Sequence, residues 1–184
     1  MQRHKILIVD DEEKILKSLC RLLMNENYEI KTANSAEEGL AVLKEFHAQL
    51  IISDNMMPGM TGIEFFKKVG DVYPDTIRII LTGRADIKVS IASINKGEIF
   101  RFLTKPCNGD ELKITIANAL KYYDLSKENR SLIQIVRKQH GALQAIEKKY
   151  PGITKIDREE DGTIHMEDEE YADIIEKFRD EISL

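Results

Sequence analysis

The chain is 184 residues long, enough for one domain of ordinary size and an appendage but short for two full domains. Its 42% hydrophobic and 32% charged residues exclude disorder throughout, and no run approaches the ~20 apolar residues of a membrane-spanning helix. The net charge of −5 is uneven, because residues 157–184 hold twelve carboxylates against Arg158, Lys177 and Arg179, leaving −9 on that tail and +4 on residues 1–156. An acidic end of this kind is a poor surface for a phosphate backbone.

Residues 1–5 lead into only four apolar residues, Ile6 to Val9, before Asp10-Asp11, so no signal-peptide core is expected and the predicted location is cytoplasmic. Cys20 and Cys107 lack metal or redox spacing, and no function is assigned to them. Lys5–Val9 reads as a buried strand, followed by a helix from about Glu12 to Asn25 with Ile15, Leu16, Leu19, Leu22 and Leu23 on one face. Tyr28–Ala33 is a second strand. Ser35-Ala36-Glu37-Glu38 is a capping-box pattern opening a helix with Leu40, Leu43 and Phe46. Strand three, Leu50–Ser53, stops at Asp54 before the turn at Pro58-Gly59, and a helix with Ile63, Phe65, Phe66 and Val69 starts near Thr61 and ends before Pro74. Ile77–Leu81 is strand four, Asp86 to about Lys96 a helix capped by Gly97, and Ile99–Leu103 strand five, with another helix after Pro106.

Alternating strands and helices imply a parallel sheet with helices on both faces, because parallel strands need crossover connections. Five such units predict an α/β fold, a doubly wound, flavodoxin-like sheet of order 2-1-3-4-5, with its active crevice at the carboxyl ends of the strands. Asp10 and Asp11 follow strand one, Asp54 strand three, Thr82 strand four and Lys105 strand five. One such Asp is an ordinary turn residue. Five chemically matched groups at four strand ends point to a site. Three carboxylates in one pocket repel unless a cation joins them, and hard oxygen ligands suit Mg²⁺. A carboxylate there can attack a phosphoryl donor in line, while the Thr82 hydroxyl and the Lys105 ammonium neutralise the transferring oxygens. A cis bond at Lys105-Pro106 costs only ~0.5–1 kcal/mol.

The segments Ile6-Leu7-Ile8-Val9-Asp10-Asp11-Glu12, Asp54-Asn55-Met56-Met57-Pro58-Gly59-Met60-Thr61-Gly62, Leu81-Thr82-Gly83 and Phe102-Leu103-Thr104-Lys105-Pro106 resemble the signature segments of bacterial two-component response-regulator receivers, over about residues 4–125. The resemblance implies that Asp54 is the phosphoacceptor, that Asp10 and Asp11 are the acid pair, and that the Met56 backbone carbonyl joins Asp11 and Asp54 as an Mg²⁺ ligand. It implies a sensor histidine kinase as donor, and no enzymatic activity beyond the chain's own phosphorylation and dephosphorylation. Phosphorylation would draw Thr82 inward, and Phe102 matches the aromatic residue that then fills the vacated space; otherwise it is an ordinary core aromatic. Met56 and Arg84 match the positions that set phosphoryl lifetime. Neither side chain is suited to positioning an attacking water, so slow self-dephosphorylation is expected. A flavodoxin-type cofactor binder is disfavoured because Asp10-Asp11 would repel a cofactor phosphate. A haloacid-dehalogenase-type phosphohydrolase needs a second Asp where Met56 stands.

From Tyr122 a heptad runs through Leu125, Asn129, Leu132, Val136, Gln139, Leu143, Ile146 and Tyr150, and seven of these nine positions are apolar or aromatic. Such a stripe predicts a coiled-coil linker over 122–150 and a parallel homodimer, with Asn129 fixing register; the alternative is a single helix packed on its own chain. Gln139-His140-Gly141 weakens its middle, which leaves room for a bend or a local opening, and Pro151-Gly152 ends it. His140 has no acidic residue after it and reads as a solvated side chain rather than a phosphodonor. The expected domains are a receiver at 1–121, the linker at 122–150 and an acidic tail at 151–184. In the tail, Ile153–Ile156 and Thr163–Met166 flank a turn at Glu160-Asp161-Gly162, and Asp168–Ile182 is amphipathic, with Tyr171, Ile174, Ile175, Phe178 and Ile182 on one face. About thirty residues cannot bury a core alone, so the tail is expected to pack on a partner, a second subunit or the coiled coil. The acids at 157–161 do not fit a calcium loop. No basic recognition helix, phosphohydrolase or cyclase signature is found. The output expected is therefore dimerisation and contact with an unidentified downstream protein, with DNA binding disfavoured. A transcription regulator, or a piece of a longer regulator with an enzymatic output domain, is the alternative.

Overall fold

The computed structural model describes residues 3–83 and 99–151. In chain order they form β1 (His4–Val9), α1 (Glu13–Leu23), β2 (Tyr28–Ala33), α2 (Ala36–Phe46), β3 (Leu50–Asp54), α3 (Gly62–Val72), β4 (Ile77–Thr82), β5 (Arg101–Thr104) and α4 (Gly109–Lys149). The strands make one parallel sheet in the order β2-β1-β3-β4-β5, the flavodoxin-like arrangement that the alternating pattern predicts. The expected helix at Asp86–Lys96, the hairpin of the tail and its amphipathic segment lie outside the described residues.

Both faces of the sheet are covered, which is why the central strands read as unbroken apolar runs. Ile6 and Ile8 of β1 point to a cluster with Leu50, Ile52, Ile79, Leu81 and Leu103, closed by Leu16, Leu19 and Leu23 of α1 and by Leu112, Ile116, Ala119 and Leu120 of α4. Leu7 and Val9 point the other way, to Ile51 and Ile80, closed by Leu43 and Phe46 of α2 and Phe65, Phe66 and Val69 of α3. Burying a side chain of this size stabilises by ~1.5–3 kcal/mol, so the two clusters fix the strand register that carries the site.

Several boundaries differ from the sequence reading. Helix α1 ends at Leu23 rather than Asn25, its exit being a tight turn in which the Met24 N–H donates to the Arg21 carbonyl at 3.4 Å and the Glu26 N–H to the Leu23 carbonyl at 3.0 Å. Ser35 caps α2 through Glu38 N–H at 3.1 Å, but Glu38 reaches past Ser35 and accepts from Asn34 N–H at 2.7 Å. Strand β5 begins at Arg101; Ile99 and Phe100, expected inside it, precede the ladder, and the Phe100 N–H donates to the Arg78 carbonyl at 2.8 Å. Gly141 does not end α4, whose helix continues across it to Lys149.

The chain divides into two compact units, Met1–Arg130 and Ser131–Leu184. In the first, α4 buries Leu112, Thr115, Ile116, Ala119 and Leu120, and the Tyr122 ring lies 5.6 Å from that of Phe100. In the second, the described residues are almost all exposed, Leu132 at 55%, Val136 at 62% and Leu143 at 53% among them. Most of the stability of a protein helix comes from packing its apolar face, so an apolar stripe left open is a surface that needs a cover.

Candidate functional site

The crevice lies where the topology reverses, at the carboxyl ends of β1 and β3, whose neighbours run off in opposite directions across the sheet. Asp10 follows β1 and is fully buried. Its backbone N–H donates to the Ala33 carbonyl at 3.2 Å, and one carboxylate oxygen accepts from Glu12 N–H at 3.0 Å. Asp11 is exposed at the rim. Asp54 closes β3 with its Oδ1 accepting from Asn55 N–H at 2.8 Å. One carboxylate oxygen from each of Asp10, Asp11 and Asp54 lies within 4.8 Å of the others. An oxygen-only set this tight fits a hard divalent cation better than three uncompensated charges.

Lys105 directly follows the end of β5 and is joined to Pro106 by a cis peptide bond. Its Nζ stands 2.7 Å from Asp10 Oδ2 and 3.2 Å from Asp54 Oδ1. Burial acts to lower the ammonium's pKa, but the ion pairs with Asp10 and Asp54 outweigh it and the net direction is upward. Asp54 is displaced the other way from most paired carboxylates. Burial, joined by the neighbouring Asp10 charge, raises its pKa against the opposing pull of Lys105 and of the Asn55 N–H. Thr82 ends β4 fully buried, its hydroxyl donating to the Gly83 carbonyl across a long 3.3 Å. Asp10, Asp11, Asp54 and Lys105 thus meet in one crevice, and Thr82 ends the neighbouring strand β4. Phe102, on β5, is half-buried against the cluster behind α2 and α3. Met56 carries its side chain outward, 60% exposed, while Met57 is buried. Arg84 lies outside the described residues.

Two contributors were not singled out from the sequence. The Asn55 N–H serves both Asp54 Oδ1 and, at 3.0 Å, the Leu81 carbonyl, tying the carboxylate oxygen to β4. Gly62 folds back onto the strand end, its N–H donating to the Asn55 carbonyl at 3.0 Å, so closely that a Cβ would stand 2.2 Å from the Asp54 carbonyl oxygen. A full capping box holds it there, since Thr61 accepts from Glu64 N–H at 3.3 Å and Glu64 accepts from Thr61 N–H at 2.9 Å. That Thr-x-x-Glu spacing was the available signal. Gly62→Ala is expected to lower stability by about 2–4 kcal/mol, because the clash is with backbone and not with a movable side chain. An unchanged urea midpoint would refute it.

A family described as "Response regulator receiver domain" matches residues 6–117. The hydrogenase transcriptional regulatory protein HoxA of Cupriavidus necator is 34% identical over 127 residues, 69% of this chain and 26% of its own length. The transcriptional regulatory protein GlrR of Escherichia coli is 36% identical over 143 residues, 78% of this chain and 32% of its own. The chain therefore spans about a quarter to a third of the length of these relatives. A crystal structure of a CheY-like response regulator receiver domain protein from Methanospirillum hungatei superposes with a TM-score of 0.65 at 33% identity, covering 68% of this chain and 99% of that one.

Proposed function

The chain belongs to the response regulator receiver family, and from that premise we propose that Asp54 accepts a phosphoryl group from the phosphohistidine of a sensor histidine kinase. The observation that carries the assignment is the Lys105 ammonium placed between Asp10 and Asp54, beside the three-carboxylate cluster. Asp10, Asp11, Asp54 and the Met56 backbone carbonyl would hold Mg²⁺, which when bound neutralises charge on the phosphoryl oxygens. An Asp54 carboxylate oxygen attacks phosphorus, the P–N bond to the donor imidazole breaks, and the departing ring nitrogen takes up a proton. Lys105 meets the developing charge from the β5 side, and the Asn55 N–H keeps the carboxylate oriented.

The acyl phosphate adds charge and acceptor oxygens where a single carboxylate stood. Thr82, whose hydroxyl donates to the Gly83 carbonyl across a long 3.3 Å, turns toward those oxygens, and Phe102 moves into the space it leaves. With an exposed Met at 56 and Arg at 84 no side chain at these positions positions a water, so dephosphorylation is slow. Decay of the loaded chain within seconds in Mg²⁺ buffer, with no phosphatase present, would overturn this.

The receiver takes up residues 1–121, and the signal leaves through 122–150 and the tail at 151–184. We assign 122–150 to a two-stranded parallel coiled coil between copies, with a downstream protein as the reader. Supporting this are the exposed Tyr122, Leu125, Leu132, Val136 and Leu143 and the register-setting Asn129. Light scattering on the full chain, with and without Mg²⁺ and a phosphoryl mimic, is expected to give a dimer in at least one state. A monomer in both would refute the coil. The relatives' names describe transcription regulators, but the −9 tail repels a phosphate backbone and DNA binding is not favoured. Among the described residues no helix is long and apolar enough to cross a membrane.

A further inference from the structure

The apolar surface of α4 is wider than a two-stranded seam needs. Leu132 and Val136 occupy seam positions, yet Ile133 and Ile135, on either flank, are also 46% and 51% exposed. A strict two-residue stripe suits a pair of helices, whereas a stripe widened to its flanks belongs to a helix covered by more than one neighbour. The inference rests on the two-stranded seam proposed above, in which one partner helix leaves these flanks uncovered. Something else must close them.

We propose that the closing element is the segment 168–182 of this chain, laid against α4 at the flanks of the seam, over Ile133 and Ile135. Its apolar residues Tyr171, Ile174, Ile175, Phe178 and Ile182 recur at helical spacing, so it offers one greasy face and little else to bury. Charge matches as well. Residues 131–149 carry Arg137, Lys138, Lys148 and Lys149 against Glu147 alone, a net +3, while 168–182 hold seven carboxylates against Lys177 and Arg179, a net −5. The connection is long enough. The target lies ~21–27 Å back along α4 from Tyr150 at ~1.5 Å per residue, and residues 151–167 reach ~55 Å when extended. Docking of this kind would turn the bare linker into a bundle and give the tail the core that its length denies it.

The test is hydrogen exchange on the full chain, wild type against Ile174→Asp/Phe178→Asp, with mass by light scattering on the same samples. Amides of residues 131–137 should exchange ~10-fold or more faster in the variant, while those of β1 and β3 keep their protection and the mass stays that of a dimer. Unchanged exchange in the variant would overturn the docking. So would a wild-type mass of a trimer or larger that the variant retains, because helices of further copies would then fill the flanks. A monomeric wild type would refute the seam alone, and the exchange contrast would still decide whether the tail covers α4.

Discussion

Asp54→Asn is expected to take up no phosphate from a small acyl-phosphate donor in Mg²⁺ buffer, under conditions that load the wild type. The amide keeps the shape of the side chain but is a far weaker nucleophile, so the loss should be complete rather than partial. Phosphate appearing instead on Asp10 or Asp11 of the variant would show that the crevice, and not the residue, selects the acceptor. The same substitution separates electrostatics from chemistry. Burial pushes the Asp54 pKa up, so between the ordinary aspartate value of ~3.9 and its raised value the folded chain binds a proton that the unfolded chain has released. The contribution of this group to stability is therefore full below the ordinary value and is lost as pH rises through the raised one. In chelator-treated buffer, the urea midpoint of the wild type relative to Asp54→Asn should fall across that window, and a rise would contradict the burial of the carboxyl.

Lys105→Met should slow phosphoryl uptake by ~10²–10³-fold while leaving Asp54 in place. The ammonium is the charge that answers both Asp10 and Asp54, and a methionine of similar length keeps the packing but leaves two carboxylates facing one another. Lys105→Arg is not a conservative control, because a planar fork cannot occupy the point between two carboxylates that a compact ammonium does. Stopped-flow loading with a small donor reads the rate without requiring a kinase to recognise the surface. A loss below about threefold would remove Lys105 from the transition state and leave it a purely structural ion pair.

Much of this site was legible in the sequence because its parts sit at strand ends, and strand ends were readable from apolar runs that stop. Ile6–Val9 and Leu50–Ser53 stop at carboxylates, and the parallel topology then brings Asp10 and Asp54 side by side. Where apolar residues continue past the ladder, the reading failed. Ile99 and Phe100 belong to the core but not to β5, since burial and strand pairing make the same demand on side-chain type. Gly62 was quoted without a role, because no composition reveals that a backbone oxygen 54 residues into the chain will lie against it. The closer partner of Lys105 was also hidden. The strand-end pattern sets its ammonium against the transferring oxygens, while the geometry gives it first to Asp10 and then to Asp54.

The strand order also fixes where each charge of the site comes from. β2, β1 and β3 all lie within residues 4–54 and form neighbouring rungs, so one short stretch of chain brings Asp10 and Asp54 side by side. Lys105 comes just after β5, an edge strand added after a further crossover. The ammonium that answers both acids is thus supplied from the far edge of the sheet. Without β5 the crevice would be a self-repelling half-site, and the outermost strand is the piece that makes it electrically tolerable.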